Sequence, residues 1–296
     1  MPDTALRLRR RLKAFSRRMR ELRLIAKGAL RTSHPIMAHI IPIRRCNLSC
    51  TYCNEFDEVS KPVPLEEMLR RIDRLAELVR HPRILDAVES VVGPDILVYT
   101  ATFFIKEANS PVFAAWHQDA TYFGLSPHEH VTAWVALTDA SREAGCMEVV
   151  SSRGAPRQLA HAALGLAHSI NGGGQAIVEE FDAQGSEMMA LPQGSFSLHH
   201  TLCRHRSAPN RASHRRIGVG ISYIPAHVRL TGSHRMCALL VRGRDTGGHF
   251  DLLTPPEGEL HPAALARHEN ACRRYLDNYR EQIERHEREF PAAASA

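Results

Sequence analysis

The chain has 296 residues, 44% hydrophobic and 24% charged, which is the composition of a globular protein and excludes a disordered or fibrous one. No apolar run reaches the ~20 residues of a membrane-spanning helix, and the basic N-terminus is unlike a secretory signal, so we expect a cytoplasmic protein. The net charge of +6 is uneven, because residues 1–34 carry +9 and the rest of the chain carries −3.

The first predicted element is a basic amphipathic helix over residues 1–34. Its apolar residues recur mostly three and four positions apart among eleven Lys and Arg residues. Such a helix could contact an anionic surface, or it could lie solvated on its own protein. No aromatic interleaving or recognition motif accompanies the charge, which argues against nucleic acid as a partner.

A cluster of three cysteines follows: Cys46, Cys50 and Cys53 lie within eight residues of one another. Seven cysteines are an odd number in a large chain, so we expect free thiols or metal chemistry rather than a disulfide framework. The C-x3-C-x2-C spacing resembles that of the radical S-adenosylmethionine (radical SAM) enzymes, which implies a 4Fe-4S cluster on the three thiolates. The apolar run at 40–43 and a helix predicted over 64–80 resemble the first strand and helix of that family.

The remaining elements of a radical SAM enzyme are missing. A glycine-rich turn should follow the helix, but the chain changes to a different pattern near residue 79. One strand and one helix cannot bury a core or enclose S-adenosylmethionine, which argues against that cofactor. We therefore expect residues 35–79 to be a truncated, radical SAM-like strand, loop and helix. Its cysteines could bind a 4Fe-4S cluster, zinc or nothing.

From residue 80 onwards the sequence predicts a mainly β domain that extends to residue 296. A short helix over 84–91 precedes several apolar runs of strand length: 96–105, 131–137, 147–150, 176–178, 196–199 and 217–224. Many short strands without helices between them indicate a barrel or a jelly roll of two sheets. A charged, helix-prone stretch over 262–290 follows the strands.

Candidate metal ligands lie in two parts of this domain. His117 and Asp119 are separated by a single residue, and on an extended strand two side chains with this spacing project to the same face. Three further histidines follow downstream, His199, His200 and His205, and after them come Arg215 and Arg216 at the start of an apolar strand. Two histidines and a carboxylate form the facial triad that binds iron and leaves positions open. A guanidinium is the group best shaped to hold the far carboxylate of a keto diacid that chelates this iron.

At this point the sequence resembles the phytanoyl-CoA dioxygenase family of iron(II)- and 2-oxoglutarate-dependent oxygenases, over about residues 80–290. The resemblance rests on three motifs: Trp116-His117-Gln118-Asp119, Gly145-Cys146-Met147, and His205-x-Ser207-x-Pro209-Asn210 running on to Arg215-Arg216. It implies a cupin-like double-stranded β-helix with three iron ligands, namely His117, Asp119 and His205. It also implies that 2-oxoglutarate is held by Arg216, Ser207 and Trp134, with Lys106 as a further candidate.

Several positions keep an alternative. Any one of 18 histidines can be an ordinary surface or core residue, and His199 and His200 fit either a place beside the ligands or a plain strand. Arg215 is the alternative to Arg216, since a slip of one residue turns a strand side chain to the opposite face. Trp134 could be a core residue. Four cysteines show no metal-ligand spacing and are expected to be ordinary thiols: Cys146, Cys203, Cys237 and Cys272.

The resemblance implies that a substrate is oxidised with O2 while 2-oxoglutarate is converted to succinate and CO2. Related halogenases carry a small residue in place of the carboxylate ligand, so Asp119 favours hydroxylation. We expect a small-molecule substrate that is selected by loops such as 154–175 and 226–250. The alternatives are a radical SAM enzyme and a jelly-roll binding domain without activity.

Overall fold

The computed structural model describes residues 74–151, 155–171, 174–256 and 261–291. The predicted basic helix over 1–34 and the cysteines Cys46, Cys50 and Cys53 lie outside these residues. Most of the segment 35–79 does too, so its interpretation as a radical SAM-like fragment stays a prediction. Within the described ranges no helix has both the length and the apolar character needed to cross a membrane.

The described part of the chain is mainly β. Residues 74–78 are helical, and helix α1 follows at Pro82–Val92. The strands in chain order are β1 (Ile96–Lys106), β2 (Ala114–His117), β3 (Leu125–Ser126), β4 (Val131–Ala136), β5 (Met147–Val150), β6 (His161–Ala163), β7 (Gln175–Ile177), β8 (Glu187–Met189), β9 (Phe196–His200), β10 (Arg204–Ser207), β11 (Arg216–Pro225), β12 (Arg229–Leu230), β13 (Cys237–Arg242) and β14 (Asp251–Leu252). A 3₁₀ helix covers Asp119–Tyr122, and helix α2 covers Pro262–Glu289.

The structure confirms the elements predicted from residue 80 onwards and adds strands that the pattern missed. The six strands predicted there correspond to β1, β4, β5, β7, β9 and β11, and the two helices predicted there correspond to α1 and α2. The expectation of a loop over 226–250 is wrong at β13, which pairs with β1 inside the large sheet. The expected loop over 154–175 likewise contains β6, which pairs with β7. β6 has only three residues, too few for a pattern to mark it. β13 carries an apolar run over 237–241 but takes its place in the sheet from pairing with the distant β1.

Two sheets enclose the central cavity. The large sheet has the strand order β14-β13-β1-β11-β4-β9, and the smaller sheet has the order β2-β10-β5-β8. Neighbouring strands are antiparallel except for β13 and β14. Residues of both sheets line the cavity, as expected for the double-stranded β-helix, or jelly roll, that the sequence predicts.

Alternation along the large sheet separates the hydrophobic core from the cavity. In β4, the side chains of Val131, Ala133 and Val135 pack into the main core together with α1. Thr132 and Trp134, which lie between them, line the cavity instead. This follows from the period of two in a strand, where successive side chains point to opposite faces. The strands β9 and β11 follow the same rule. The large sheet therefore has one apolar face that packs into the core and one face whose side chains line the cavity.

The residues just before α1 also pack on this sheet. Leu75 and Val79 are buried in the main core, and the Tyr223 hydroxyl donates a hydrogen bond of 3.0 Å to the Val79 carbonyl. The jelly roll therefore contacts the chain on both sides of the domain boundary that the sequence predicts at residue 79.

Candidate active site

Three predicted metal ligands meet between the two sheets. His117 ends β2, Asp119 begins the 3₁₀ helix, and His205 lies in β10 directly opposite His117. One donor atom from each residue lies within 4.8 Å of the other two. Gln118 between them is extended, with φ −125° and ψ 133°, so His117 and Asp119 project to the same side as predicted.

The orientation of both imidazoles suits metal binding. His117 Nδ1 lies 2.8 Å from the Ala115 carbonyl, and His205 Nδ1 lies 2.9 Å from the Cys203 carbonyl. A carbonyl oxygen only accepts, so each Nδ1 carries the proton and each Nε2 keeps a free lone pair. The two Nε2 atoms lie 3.8 and 3.6 Å from Oδ1 of Asp119. This set of two imidazole nitrogens and one carboxylate oxygen fits an iron ion.

The charge states also suit a metal. Burial lowers the pKa of His117, and it lowers the pKa of His205 to about 3, so both are neutral at pH 7. Burial alone would raise the pKa of Asp119, but the neighbouring imidazoles outweigh it and hold that pKa well below its ordinary value. The site therefore presents one negative charge and two neutral nitrogens without any proton to displace.

Two further side chains hold the second oxygen of the carboxylate. Thr132 Oγ1 donates to Asp119 Oδ2 at 2.8 Å, and His199 Nε2 lies 3.2 Å from the same oxygen. His199 lines the cavity, whereas His200 is not among the lining residues. The sequence left the place of both histidines open, and the alternation of β9 decides it.

Gln118 is a site residue that the sequence did not single out, although it stands between two predicted ligands. Its side chain is 1% exposed, and its Nε2 donates to the carbonyls of Arg157 and Leu202 at 2.9 and 2.7 Å. Its Oε1 accepts from the Leu159 N–H at 2.8 Å. The backbone N–H of Gln118 donates to His161 Nε2 at 3.0 Å. These bonds fix the short segment that carries His117 and Asp119.

The far end of the cavity contains two buried cations. Lys106 and Arg216 are 0% and 2% exposed and lie directly opposite each other on β1 and β11. Lys106 Nζ donates to Ser207 Oγ at 2.7 Å and to the Ala208 carbonyl at 2.5 Å. Nε and Nη2 of Arg216 have no hydrogen-bond partner, and neither cation pairs with a carboxylate, within the part of the chain that the structure describes. The described residues therefore provide no carboxylate to balance the positive charge at this end of the cavity.

The pKa values of the two cations reflect this environment. Burial, reinforced by the neighbouring Arg216, lowers the pKa of Lys106 to about 6. Burial also lowers the pKa of Arg216, to about 10. A bound carboxylate would reverse both effects, because an opposite charge favours the charged form.

The choice between the two arginines follows from the strand face. Arg215 lies on the surface and pairs with Glu107, with Nε 2.8 Å from Oε2. Arg216 instead points inward, and its guanidinium carbon lies 5.2 Å from the centre of the Trp134 ring. Trp134 also packs with Cys146 in a small apolar cluster, so it is both a core and a cavity residue.

A glycine makes room for this tryptophan. A Cβ on Gly218 in β11 would lie 2.1 Å from Cζ2 of Trp134, far inside van der Waals contact. Gly218 therefore lies in this strand because any larger residue would collide with the Trp134 ring, which covers Arg216.

The cavity has a volume of about 270 Å³. The predicted site residues His117, Asp119, His205, Trp134, Ser207 and Arg216 all line it, and Lys106 contacts it through Ser207. Asn171 and Gln175 also line the cavity, and both belong to the 154–175 segment that the sequence analysis expected to select the substrate. The sequence did not predict Tyr275 and Tyr279, which no local motif marks because the packing of α2 brings them to the site.

Comparison with known proteins agrees with this geometry. Residues 55–218, more than half of the chain, match the sequence family described as phytanoyl-CoA dioxygenase (PhyH). The chain belongs to this family. The matched region of the phytanoyl-CoA dioxygenase family contains every residue of the triad and of the cation end of the cavity. The matched region begins at residue 55 and therefore extends across the domain boundary that the sequence predicts near residue 79. That boundary stays a prediction.

Solved structures of a non-heme monooxygenase, ThoJ, are similar to the chain over most of their length. The apo form has 33% identity and a TM-score of 0.63, and the match covers 72% of this chain and 78% of that chain. The nickel complex of ThoJ has 32% identity and a TM-score of 0.56, with 70% and 76% covered. These values support the same fold for both proteins.

Two curated relatives match over a shorter region. A probable alpha-ketoglutarate-dependent hypophosphite dioxygenase of Stutzerimonas stutzeri is 26% identical over 171 residues, which is 54% of this chain and 58% of that protein. An L-proline trans-4-hydroxylase of Streptomyces griseoviridis is 26% identical over 155 residues, covering 50% and 46%. The chain thus spans about half the length of the curated relatives that it matches.

Proposed function

We propose that the chain is an iron(II)- and 2-oxoglutarate-dependent dioxygenase that hydroxylates a small molecule and releases succinate and CO2. The observation that carries the proposal is one cavity in which His117, Asp119 and His205 converge at one end, while Lys106 and Arg216 at the other end pair with no carboxylate of the described residues. Membership of the phytanoyl-CoA dioxygenase family supports it. Asp119 supports hydroxylation in particular, since it keeps the carboxylate in the triad.

In this proposal His117, Asp119 and His205 bind iron(II). Their donor atoms converge within 4.8 Å, and the two histidines are neutral with free Nε2 lone pairs. When bound, the iron supplies the redox chemistry that activates dioxygen and couples 2-oxoglutarate decarboxylation to substrate oxidation. The chain contributes the orientation of the ligands, through the carbonyls of Ala115 and Cys203 and through Gln118.

The two buried cations bind the far carboxylate of 2-oxoglutarate. Lys106 and Arg216 lie directly opposite each other on neighbouring strands, and the pKa of about 6 leaves Lys106 largely neutral at pH 7 beside the charged Arg216. A carboxylate between them would favour the charged form of Lys106, and Arg216 offers the planar geometry that suits a carboxylate. Ser207 places its hydroxyl beside Lys106, and Trp134 covers the Arg216 guanidinium.

The size of the cavity supports a small substrate. Its volume of about 270 Å³ lies just below the roughly 300–1,000 Å³ of a typical small-molecule site, and 2-oxoglutarate must occupy part of it. Among the curated relatives, one is named for hypophosphite and the other for L-proline, which are both small. We therefore propose a small metabolite, or one small group of a larger molecule, as the substrate.

Three further sequence predictions stand beside this proposal as separate proposals. They are a cytoplasmic location, contact of the basic N-terminal helix with an anionic surface, and a 4Fe-4S or zinc site at Cys46, Cys50 and Cys53. The hydroxylase proposal depends on none of them.

Succinate formation from 2-oxoglutarate tests the proposal, in air with iron(II), ascorbate and the full chain. We expect slow turnover without substrate, faster turnover with a substrate, and none in Asp119→Ala, because the triad loses its only negative charge. Glu129→Ala is the control, since this exposed carboxylate pairs with His227 on the surface. Full turnover in Asp119→Ala would refute the triad. Binding of 2-oxoglutarate without succinate release would instead favour an inactive binding domain.

A further inference from the structure

We propose that His199 is a positioning residue for the metal centre. Together with Thr132 it holds Oδ2 of Asp119, so that Oδ1 alone faces the two candidate histidine ligands. The inference rests on the proposed function, because it assigns a role to a residue beside the proposed ligands. His199 would then influence metal affinity although it is not itself one of the three proposed ligands.

The two donors form a cradle built by the large sheet. Thr132 in β4 and His199 in β9 are directly opposite each other in the strand register. Alternation places both side chains on the cavity face, where each lies within hydrogen-bond distance of Asp119 Oδ2, at 2.8 and 3.2 Å. The carboxylate comes from the 3₁₀ helix that follows the smaller sheet. The cradle thus connects the large sheet to the segment that carries two of the three ligands.

The hydrogen bond defines the tautomer of His199. A carboxylate oxygen only accepts, so Nε2 of His199 carries the proton and donates it towards Oδ2. The His199 side chain is 6% exposed, and its Nδ1 has no hydrogen-bond partner among the described residues. Among the described residues, the imidazole of His199 therefore makes its hydrogen bond to Asp119 through Nε2.

His199 is placed to orient a ligand rather than to be one. The donor atoms that converge within 4.8 Å in the described ranges belong to His117, Asp119 and His205, and His199 is not among them. Its ring centre lies 4.7 Å from that of His205, which brings it beside the triad. Because Oδ2 already accepts two hydrogen bonds, the carboxylate is directed to bind a metal through Oδ1.

Such outer partners have a measurable effect on metal sites. Removing a hydrogen-bond partner of a metal ligand typically weakens metal affinity by roughly 10- to 100-fold, because the ligand loses its orientation. Loss of the His199 donor would free Oδ2 to rotate towards the metal or towards other donors. We therefore expect weaker metal binding without loss of the fold.

The chain offers a matched control one residue away. His200 is the next residue of β9, and its Nδ1 accepts a hydrogen bond of 3.2 Å from the Leu202 N–H. It does not line the cavity. Substitutions at His199 and His200 therefore alter the same strand on its two faces, and only an apolar replacement of His199 removes a donor from Asp119.

Anaerobic calorimetry with cobalt(II), a redox-stable divalent probe, tests the inference on the full chain. We expect His199→Phe to raise the Kd for cobalt(II) by about tenfold or more. His199→Gln, whose side-chain amide keeps a donor near the Nε2 position, should bind within about threefold of the wild type. His200→Phe and His200→Gln should leave the Kd unchanged. Thermal unfolding of each variant reports whether the fold is intact.

Two results would overturn the inference. One is an unchanged cobalt(II) affinity in folded His199→Phe, and the other is an equal loss in His199→Phe and His199→Gln. If His199→Phe does not fold, Thr132→Val removes the other donor of the cradle and should itself weaken cobalt(II) binding, and unchanged binding there would also overturn it. Metal affinity needs no turnover, so a wild type that binds cobalt(II) but forms no succinate would refute the proposed function alone.

Discussion

The two ends of the cavity differ in how the protein treats a buried charge. At the metal end, the single negative charge of Asp119 is surrounded by three imidazoles and a hydroxyl donor. At the cation end, Lys106 and Arg216 have no counter-ion among the described residues and lie directly opposite each other. At the first end the protein's own side chains surround the buried charge, whereas at the second the carboxylate that we propose to bind there would supply the opposite charge. The comparison therefore separates a charge that the fold itself surrounds from a charge that a ligand would neutralise.

The largest expected effect concerns the assembly of the metal end. Gln118→Met removes hydrogen bonds to the part-buried carbonyl of Arg157 and to buried backbone groups of Leu202 and Leu159, and leaves these groups without the Gln118 partner. At roughly 1–3 kcal/mol for each unpaired group, the free energy of unfolding should fall by about 3 kcal/mol or more, as measured by chemical denaturation. Gln184→Met on the surface is the control and should be neutral. Equal stability of the two variants would show that the metal end is not held by Gln118.

The next effect concerns the cation end. Arg216→Met should raise the KM for 2-oxoglutarate by at least about 30-fold, because losing one partner of a buried charge pair costs roughly 2 kcal/mol or more. Cobalt(II) affinity should stay near that of the wild type, since the metal end does not depend on this residue. Arg215→Met, which removes only the surface pair with Glu107, should leave the KM unchanged. Similar KM values for both variants would contradict the assignment of Arg216.

The smallest effect per pH unit is a pH dependence of stability. Because the pKa of Lys106 is about 6 in the folded protein and 10.5 ordinarily, the unfolded chain binds more protons between these values. The free energy of unfolding therefore gains with rising pH, by up to about 1.4 kcal/mol per pH unit from this group. Lys106→Met lacks this contribution, so its stability relative to the wild type should be greatest near pH 6–7 and decline towards pH 10. Denaturation at several pH values measures this, and parallel pH profiles would refute it.

Much of the fold was predictable from local pattern. The apolar runs of β1, β4 and β11 mark strands because they have strand length and are separated by turn residues, and the jelly roll follows from the number of such runs. β13 is as long as β4 and also apolar, but its place in the sheet depends on pairing with β1. The same limit applies to Tyr275 and Tyr279, which reach the cavity only because α2 packs beside it.

The candidate site shows the same division. The spacing of His117 and Asp119 already requires a common face, and the motif around His205 indicates the third member of the triad. The sequence left two adjacent pairs unresolved, Arg215 with Arg216 and His199 with His200. Neighbours on a strand differ only in the face they occupy, and that face is set by pairing with other strands.

The sequence by itself therefore determined the class of fold, the chemical types of the site residues and the family resemblance, because these depend on local pattern and motif. Only the tertiary structure decided that Arg216 and His199 face the cavity, that Gln118 anchors the ligand segment, and that Lys106 lies opposite Arg216. The physical reason is that strand register and packing join segments roughly 100 residues apart. A buried charge or donor acquires its function from the partners that this arrangement places around it.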